Sequence, residues 1–180
     1  MSPASGITVH SDVPYLPSDR AEKLDVWLPP ASFARPLPAV LLIHGGGWRI
    51  CDKADARERN IGATLAAHGY AVFSINYLLN VGEKDPATGR LKLTRLAWPQ
   101  NLVDCKSALR FVRAEAARYG IDPGRIAAMG GSAGGHLSML LGATARHDGF
   151  NRHGPHQDQP NDIACILNFY GDYDIRGRRV

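Results

Sequence analysis

The chain contains no apolar run approaching the roughly 20 residues needed to cross a bilayer. Its start, Met1 to Asp12, also lacks the basic residues and continuous apolar segment of a secretory signal. A cytoplasmic location with no membrane partner is therefore expected. Cysteine is scarce: Cys51, Cys105 and Cys165 are odd in number, far apart and free of C-x-x-C or metal-like spacing. Reduced thiols and no metal site follow. Cys105 and Cys165 fall in apolar patterns and read as small core residues. Cys51 lies just past a glycine loop, and with no identified basic partner it reads as unreactive. Internal repeats, low-complexity tracts and Gly/Ser linkers are absent, so one domain spanning residues 1–180 is expected. Clustered positive charge is rare too. The net charge of +4 is spread along the chain, apart from Arg176, Arg178 and Arg179, which read as a solvated terminus rather than a nucleic-acid patch.

What is present suits a globular domain with a sizeable core, since 44% of the residues are hydrophobic and 21% charged. Lys23 to Leu28 alternates polar and apolar as a strand does, whereas Ala39 to Ile43 is a continuous apolar run, the mark of a strand buried on both faces. Asp55 to His68 predicts a helix closed by Gly69, and Tyr70 to Tyr77 a second buried strand. Leu102, Cys105, Leu109, Val112 and Ala116 recur at helical spacing behind Pro99-Gln100-Asn101 and run up to Gly120. Asp122-Pro123 then turns the chain. Arg125 to Met129 predicts a short strand, Ala133 to Ala145 a helix, His147 to Asp162 a polar loop and Ile163 to Tyr170 one more buried strand. The stretch from Asn80 to Ala97 predicts either part of a cap or a surface excursion. Strands alternating with helices imply right-handed crossovers, so the fold class is α/β, with a mostly parallel sheet covered by helices on both faces.

Two glycine motifs follow strand-like segments. Gly130-Gly131-Ser132-Ala133-Gly134-Gly135 fits G-x-S-x-G, in which a strand bends sharply into a helix and lifts a serine at the apex. His44-Gly45-Gly46-Gly47-Trp48 supplies backbone N–H groups at the end of another strand. No lysine of a G-x-x-x-x-G-K-[ST] loop and no G-x-G-x-x-G accompanies them, which discounts a nucleotide-phosphate cradle. Ser132 is the candidate nucleophile, with the N–H groups of Gly46, Gly47 and Ala133 as oxyanion donors. The simpler alternative for Ser132 is a small residue in a tight turn. His44 ends a strand, and His136 shares the serine's own helix; both read as structural.

These residues resemble the α/β-hydrolase esterases, closest to the acetyl and feruloyl esterase-like branch. The similarity is carried by Leu24 to Pro29, His44 to Trp48, Asp52-Lys53, Ser74 to Tyr77, Asp104 to Lys106, Tyr119 to Pro123 and Gly131 to Leu137. The hormone-sensitive-lipase branch fits less well, because an acidic residue usually precedes its serine where Gly131 stands here. Cys51 occupies a position where family members often carry glycine. The resemblance implies a serine hydrolase of small acetyl or aryl (feruloyl) esters, including those on carbohydrates, with a small-molecule ester as its partner and no cofactor. In that fold the acid and the histidine follow the serine in the chain. His147, His153 and His156 lie in the polar loop, none placed as a triad base. Asp172, or Asp174, is the candidate acid, the alternative being an acid one strand later. The resemblance thus implies a C-terminally truncated α/β-hydrolase domain lacking the last strands, in which Ile163 to Phe169 would form an exposed apolar edge. Two other readings remain open: an arylformamidase or serine peptidase using the same groups, and a catalytically inactive fragment. The oligomeric state is not legible.

Overall fold

The computed structural model describes residues 6–174, so Arg176, Arg178 and Arg179 lie outside the described residues. Strand β1 (Thr8–Pro14) lies antiparallel on β2 (Lys23–Leu28), and the chain then enters β3 (Leu37–Ile43). Helix α1 (Ala56–Ala67) leads to β4 (Ala71–Ile75), after which β5 (Val81–Lys84) and β6 (Leu91–Arg95) form a separate antiparallel pair. Helices α2 (Gln100–Ala114) and α3 (Ala116–Tyr119) precede β7 (Ile121–Gly131). Helix α4 (Ala133–Ala143), a short α5 (Asp148–Asn151) and β8 (Cys165–Phe169) complete the order.

The main sheet runs β1-β2-β4-β3-β7-β8, and the pairs β3–β4, β3–β7 and β7–β8 are parallel. Strand β3 sits inside, which explains its unbroken apolar sequence: a parallel strand covered on both faces has no solvent side. Its side chains alternate between two cores. Leu41 and Ile43 join Phe73, Ile75 and Ala128 beneath Leu102 and Leu109 of α2 and Leu137 and Leu141 of α4. Val40 and Leu42 face the other way, with Val72 and Trp27, against Ala66 of α1. Burying each such large side chain contributes about 1.5–3 kcal/mol before entropy is counted. Helices thus cover both faces, as the alternation of elements predicts.

Several expectations need correction. Lys23 to Leu28 is buried on both faces: Asp25 is only 4% exposed, because its carboxylate pairs with the buried ammonium of Lys53 at 2.7 Å. The turn expected at Asp122-Pro123 falls inside the irregular first part of β7, where the pairing with β3 shifts between Leu37 and Ala39. Residues 80–97 form the β5–β6 hairpin, which has little hydrophobic pattern because most of it is exposed. Cys105 is buried as expected, but Cys165 is exposed. The strand carrying it is mostly exposed as well: β8 pairs with β7 on one side, and among the described residues no strand covers the other.

Candidate active site

Ser132 joins β7 to α4 at the carboxyl end of the parallel strands, where ligands of open α/β sheets bind. It is exposed. It occupies the N-cap position with φ 53° and ψ −122°, and its side chain makes no capping hydrogen bond. An N-cap serine ordinarily turns its hydroxyl back onto the helix, so this backbone leaves Oγ unused by the helix beneath it. A positive φ at a non-glycine residue costs on the order of 1–3 kcal/mol and persists only where its surroundings enforce it. Here the Ser132 N–H donates to the Phe169 carbonyl at 2.9 Å, and the Ser132 carbonyl accepts from the His136 N–H at 3.0 Å.

The glycine loop lies directly beside the serine. A Cβ placed on Gly45 would stand 2.9 Å from the Gly131 carbonyl oxygen and 3.6 Å from Ser132 Cβ. Gly46 and Gly47 have φ 94° and 59°, a conformation glycine adopts without a Cβ penalty. The loop closes on itself through the N–H groups of Arg49 and Ile50, both donating to the Gly46 carbonyl at 3.1 Å. Among the described residues no protein acceptor takes the N–H of Gly46 or Gly47. Trp48 then crosses to the serine's helix, its ring edge-on to His136 at 5.3 Å. The structure thus sets Ser132 beside Gly45, at the start of the glycine loop that continues into Gly46 and Gly47, with Ala133 next in the chain. Asp172 is exposed, just past β8.

Both tempting histidines have packing roles. His44 is 1% exposed and stacks on Tyr77 with ring centroids 4.4 Å apart. Burial pushes its imidazole below the ordinary value, so it is neutral near pH 7, and Nδ1–H donates to the Gly45 carbonyl at 2.9 Å. His136 is 8% exposed, under Trp48. Cys51 is exposed; partial desolvation, with Asp55 beside it, raises its thiol pKa.

Sequence reasoning missed the scaffold behind the loop. Lys53 is buried between Asp25 and Asp12 at 2.7 and 2.8 Å. Burial opposes its charge, but the hydrogen bonds to Asp12 and Asp25 outweigh it and lift the ammonium above its usual pKa. The Lys53 backbone is clamped as well: its N–H donates to Asn76 Oδ1 at 2.7 Å and its carbonyl accepts from Ser74 Oγ at 2.8 Å. Asn76 also donates to Asp52 at 2.6 Å. Burial would raise the Asp52 pKa, yet that bond and the Ala54 N–H bring it below the ordinary value. Asp104 is fully buried, taking a bidentate Arg20 at 2.7 and 3.1 Å and the Leu78 N–H at 2.9 Å. The motifs Asp52-Lys53, Ser74 to Tyr77 and Asp104 to Lys106 were readable, but not their purpose: Lys53 ties β2 and the end of β4 to the segment after the glycine loop, and Asp104 ties α2 to Arg20 and Leu78.

A cleft of about 490 Å³ opens beyond the loop, lined by Arg49, Cys51, Asp52, Tyr77, Asn80 and Arg95 among others; Ser132 does not line it. Among the described residues no three His, Cys, Asp or Glu side chains converge as a metal-binding group. No helix among the described residues is long and apolar enough to cross a membrane.

A serine lifted between a parallel strand and a helix, with a glycine loop from the adjacent strand at its side, defines the α/β-hydrolase fold. The BD-FAE family model matches residues 24–179, and the chain belongs to that family. It is 32% identical over 170 residues to Esterase LipQ of Mycobacterium tuberculosis, covering 92% of this chain and 36% of that protein. Esterase LipC of the same organism is 30% identical over 160 residues, covering 89% of this chain and 36% of its own length. The chain therefore spans just over a third of these relatives. Among solved structures, a truncated form of a carbohydrate esterase from gut microbiota superposes with a TM-score of 0.76 at 29% identity, covering 96% of this chain and 60% of that one.

Proposed function

We propose that the protein hydrolyses carboxylic esters through an acyl-enzyme on Ser132. Oγ attacks the ester carbonyl as a base takes its proton, the developing oxyanion accepts hydrogen bonds from the N–H groups of Gly46, Gly47 and Ala133, and the ester C–O bond then breaks, the alcohol leaving with that proton. Water then releases the acyl group. Each well-placed oxyanion donor is worth about 3–4 kcal/mol of transition-state stabilisation. The observation that carries this reading is the exposed Ser132 held at φ 53° without capping its own helix. The N–H groups of Gly46 and Gly47, left without a described acceptor, support it. Asp172 is the candidate acid. No described histidine is assigned as base: His44 is buried against Tyr77 and His136 under Trp48. The base is left unassigned among the described residues.

For substrate we propose small acetyl or feruloyl esters, including those borne by carbohydrates. The support is membership of the BD-FAE family and likeness to a carbohydrate esterase. In the full-length protein, Ser132→Ala is expected to lower turnover of p-nitrophenyl acetate and feruloyl esters by about 10⁴-fold or more, without loss of fold. A fluorophosphonate probe should label the wild type at Ser132 alone. Retained hydrolysis by the variant, or an unlabelled serine in the wild type, would overturn the assignment. Faster turnover of formylkynurenine than of any ester would instead favour an amide-cleaving enzyme.

A further inference from the structure

The strand order β4-β3-β7 puts the glycine loop, which follows β3, between Tyr77, which follows β4, and Ser132, which follows β7. Tyr77 is 1% exposed, and the catalytic steps above make no use of it. Its hydroxyl proton is shared between two successive carbonyl oxygens of the loop, that of His44 at 2.9 Å and that of Gly45 at 3.2 Å. His44, stacked on the Tyr77 ring at an interplanar angle of 17°, adds its Nδ1–H to the same Gly45 oxygen at 2.9 Å. A peptide is planar and trans, so its C=O and N–H point in opposite directions. The Gly45 carbonyl and the Gly46 N–H belong to one such plane. Drawing the oxygen toward β4 turns the amide toward β7, where Ser132 stands.

We infer that Tyr77 is a positioning residue of the oxyanion site: with His44 it locks the peptide planes on either side of Gly45 and so aims the Gly46 N–H. The inference rests on the proposed ester hydrolysis for its catalytic consequence, though not for its structural one. Gly46 has φ 94° and lies in a loop of consecutive glycines, the least constrained backbone a chain can have. Such a loop needs an external constraint to hold an N–H in one direction before the substrate arrives. Tyr77 supplies it from the β4 side of the loop, opposite Ser132. Burial raises the phenol pKa, so the proton required for the shared bond stays in place near neutral pH.

Tyr77→Phe keeps the stacked ring and removes only the hydroxyl. In the full-length protein it is expected to lower kcat for p-nitrophenyl acetate by about tenfold to a hundredfold, with KM changed by less than about twofold. The rate ratio between an ester and its thionoester should also fall, because sulfur accepts hydrogen bonds poorly and only a loss of oxyanion donation narrows that gap. ¹⁵N relaxation should show the Gly46 amide becoming mobile. His44→Phe, which keeps an aromatic stack and removes the second donor, should act in the same direction. Unchanged kcat and ester/thionoester ratio in Tyr77→Phe, where Ser132→Ala has abolished turnover, would overturn the inference. So would a Gly46 amide as rigid in the variant as in the wild type, a result that does not depend on any activity. If instead Ser132→Ala leaves hydrolysis intact while Gly46 is loosened by Tyr77→Phe, the esterase assignment fails and the positioning role stands.

Discussion

Cys51 stands at φ 79°, in the left-handed region that costs an ordinary L-residue roughly 1–2 kcal/mol. Glycine avoids that strain but loses more chain entropy on folding, about 0.5–1 kcal/mol. The difference predicts that Cys51→Gly stabilises the protein by about 0.5–1 kcal/mol, read as a higher urea midpoint at unchanged slope. It should leave hydrolysis unaffected, because the thiol has no part in the chemistry proposed. A lower midpoint would mean that the thiol's hydrogen bond with Asp55 outweighs the strain. The departure from glycine at this position was legible in the sequence; its conformational cost was not, because φ follows from how the loop closes on the Gly46 carbonyl. The same division runs through the site. Ser132 and the glycines stand out as candidates, since the two motifs occur together, each behind a strand-like segment. Tyr77, Lys53 and Asp104 do not, because their partners lie far off in the chain; the Tyr77–His44 bond, for example, spans 33 positions.

At the scale of elements, the bend at Ser132 works only if α4 packs close against the end of β3. Gly134 permits it. A Cβ there would run into the Ile43 carbonyl and lie 2.6 Å from that of His44. Both atoms are backbone at the end of the central parallel ladder and the start of the glycine loop, so neither can move away without breaking strand pairing or shifting the oxyanion donors. Helix propensity alone favours alanine over glycine by about 1 kcal/mol. The expectation here has the opposite sign: Gly134→Ala should destabilise by about 3 kcal/mol or more, or prevent soluble expression. Gly142 in the same helix is the control, since its added methyl would meet the mobile end of Ile166. Gly142→Ala should therefore be neutral or slightly stabilising, and equal effects at the two sites would refute the packing argument. The strands β3, β4 and β8 and the helix α2 declare themselves in the sequence by apolar pattern, whereas α1, which buries only Glu58, Gly62 and Ala66, is read from its ends at Asp55 and Gly69. Strand β1 and the β5–β6 hairpin are mostly exposed, so neither leaves a hydrophobic period to read. The burial of β2 was misread because Asp25 looks like a solvent-facing residue until Lys53 is placed beside it.

At the scale of the whole molecule the sheet formed by the described residues has two unlike edges. Strand β1 ends in Pro14 and its pairing is interrupted between His10 and Val13, with Asp12 at φ 56°. Bulges, proline and charge are the features that keep an edge from pairing with another chain. Strand β8 has none of them. Its sequence is CILNF, with Ile166 and Leu167 each 38% exposed and Phe169 42% exposed. A short apolar run with free backbone donors and acceptors is a template for strand addition. The 180-residue chain is therefore expected to self-associate as its concentration rises, and light scattering should show it. Leu167→Lys should suppress that association, because pairing two such edges would bring like charges together without water. Val9→Lys on β1, at an edge already protected, should change nothing. In a longer protein whose further residues cover β8, the sign reverses: Leu167→Lys would bury a charge and lower stability by several kcal/mol. The same substitution thus reports whether β8 is an edge or an interior strand, and association undiminished by Leu167→Lys would place the sticky surface elsewhere.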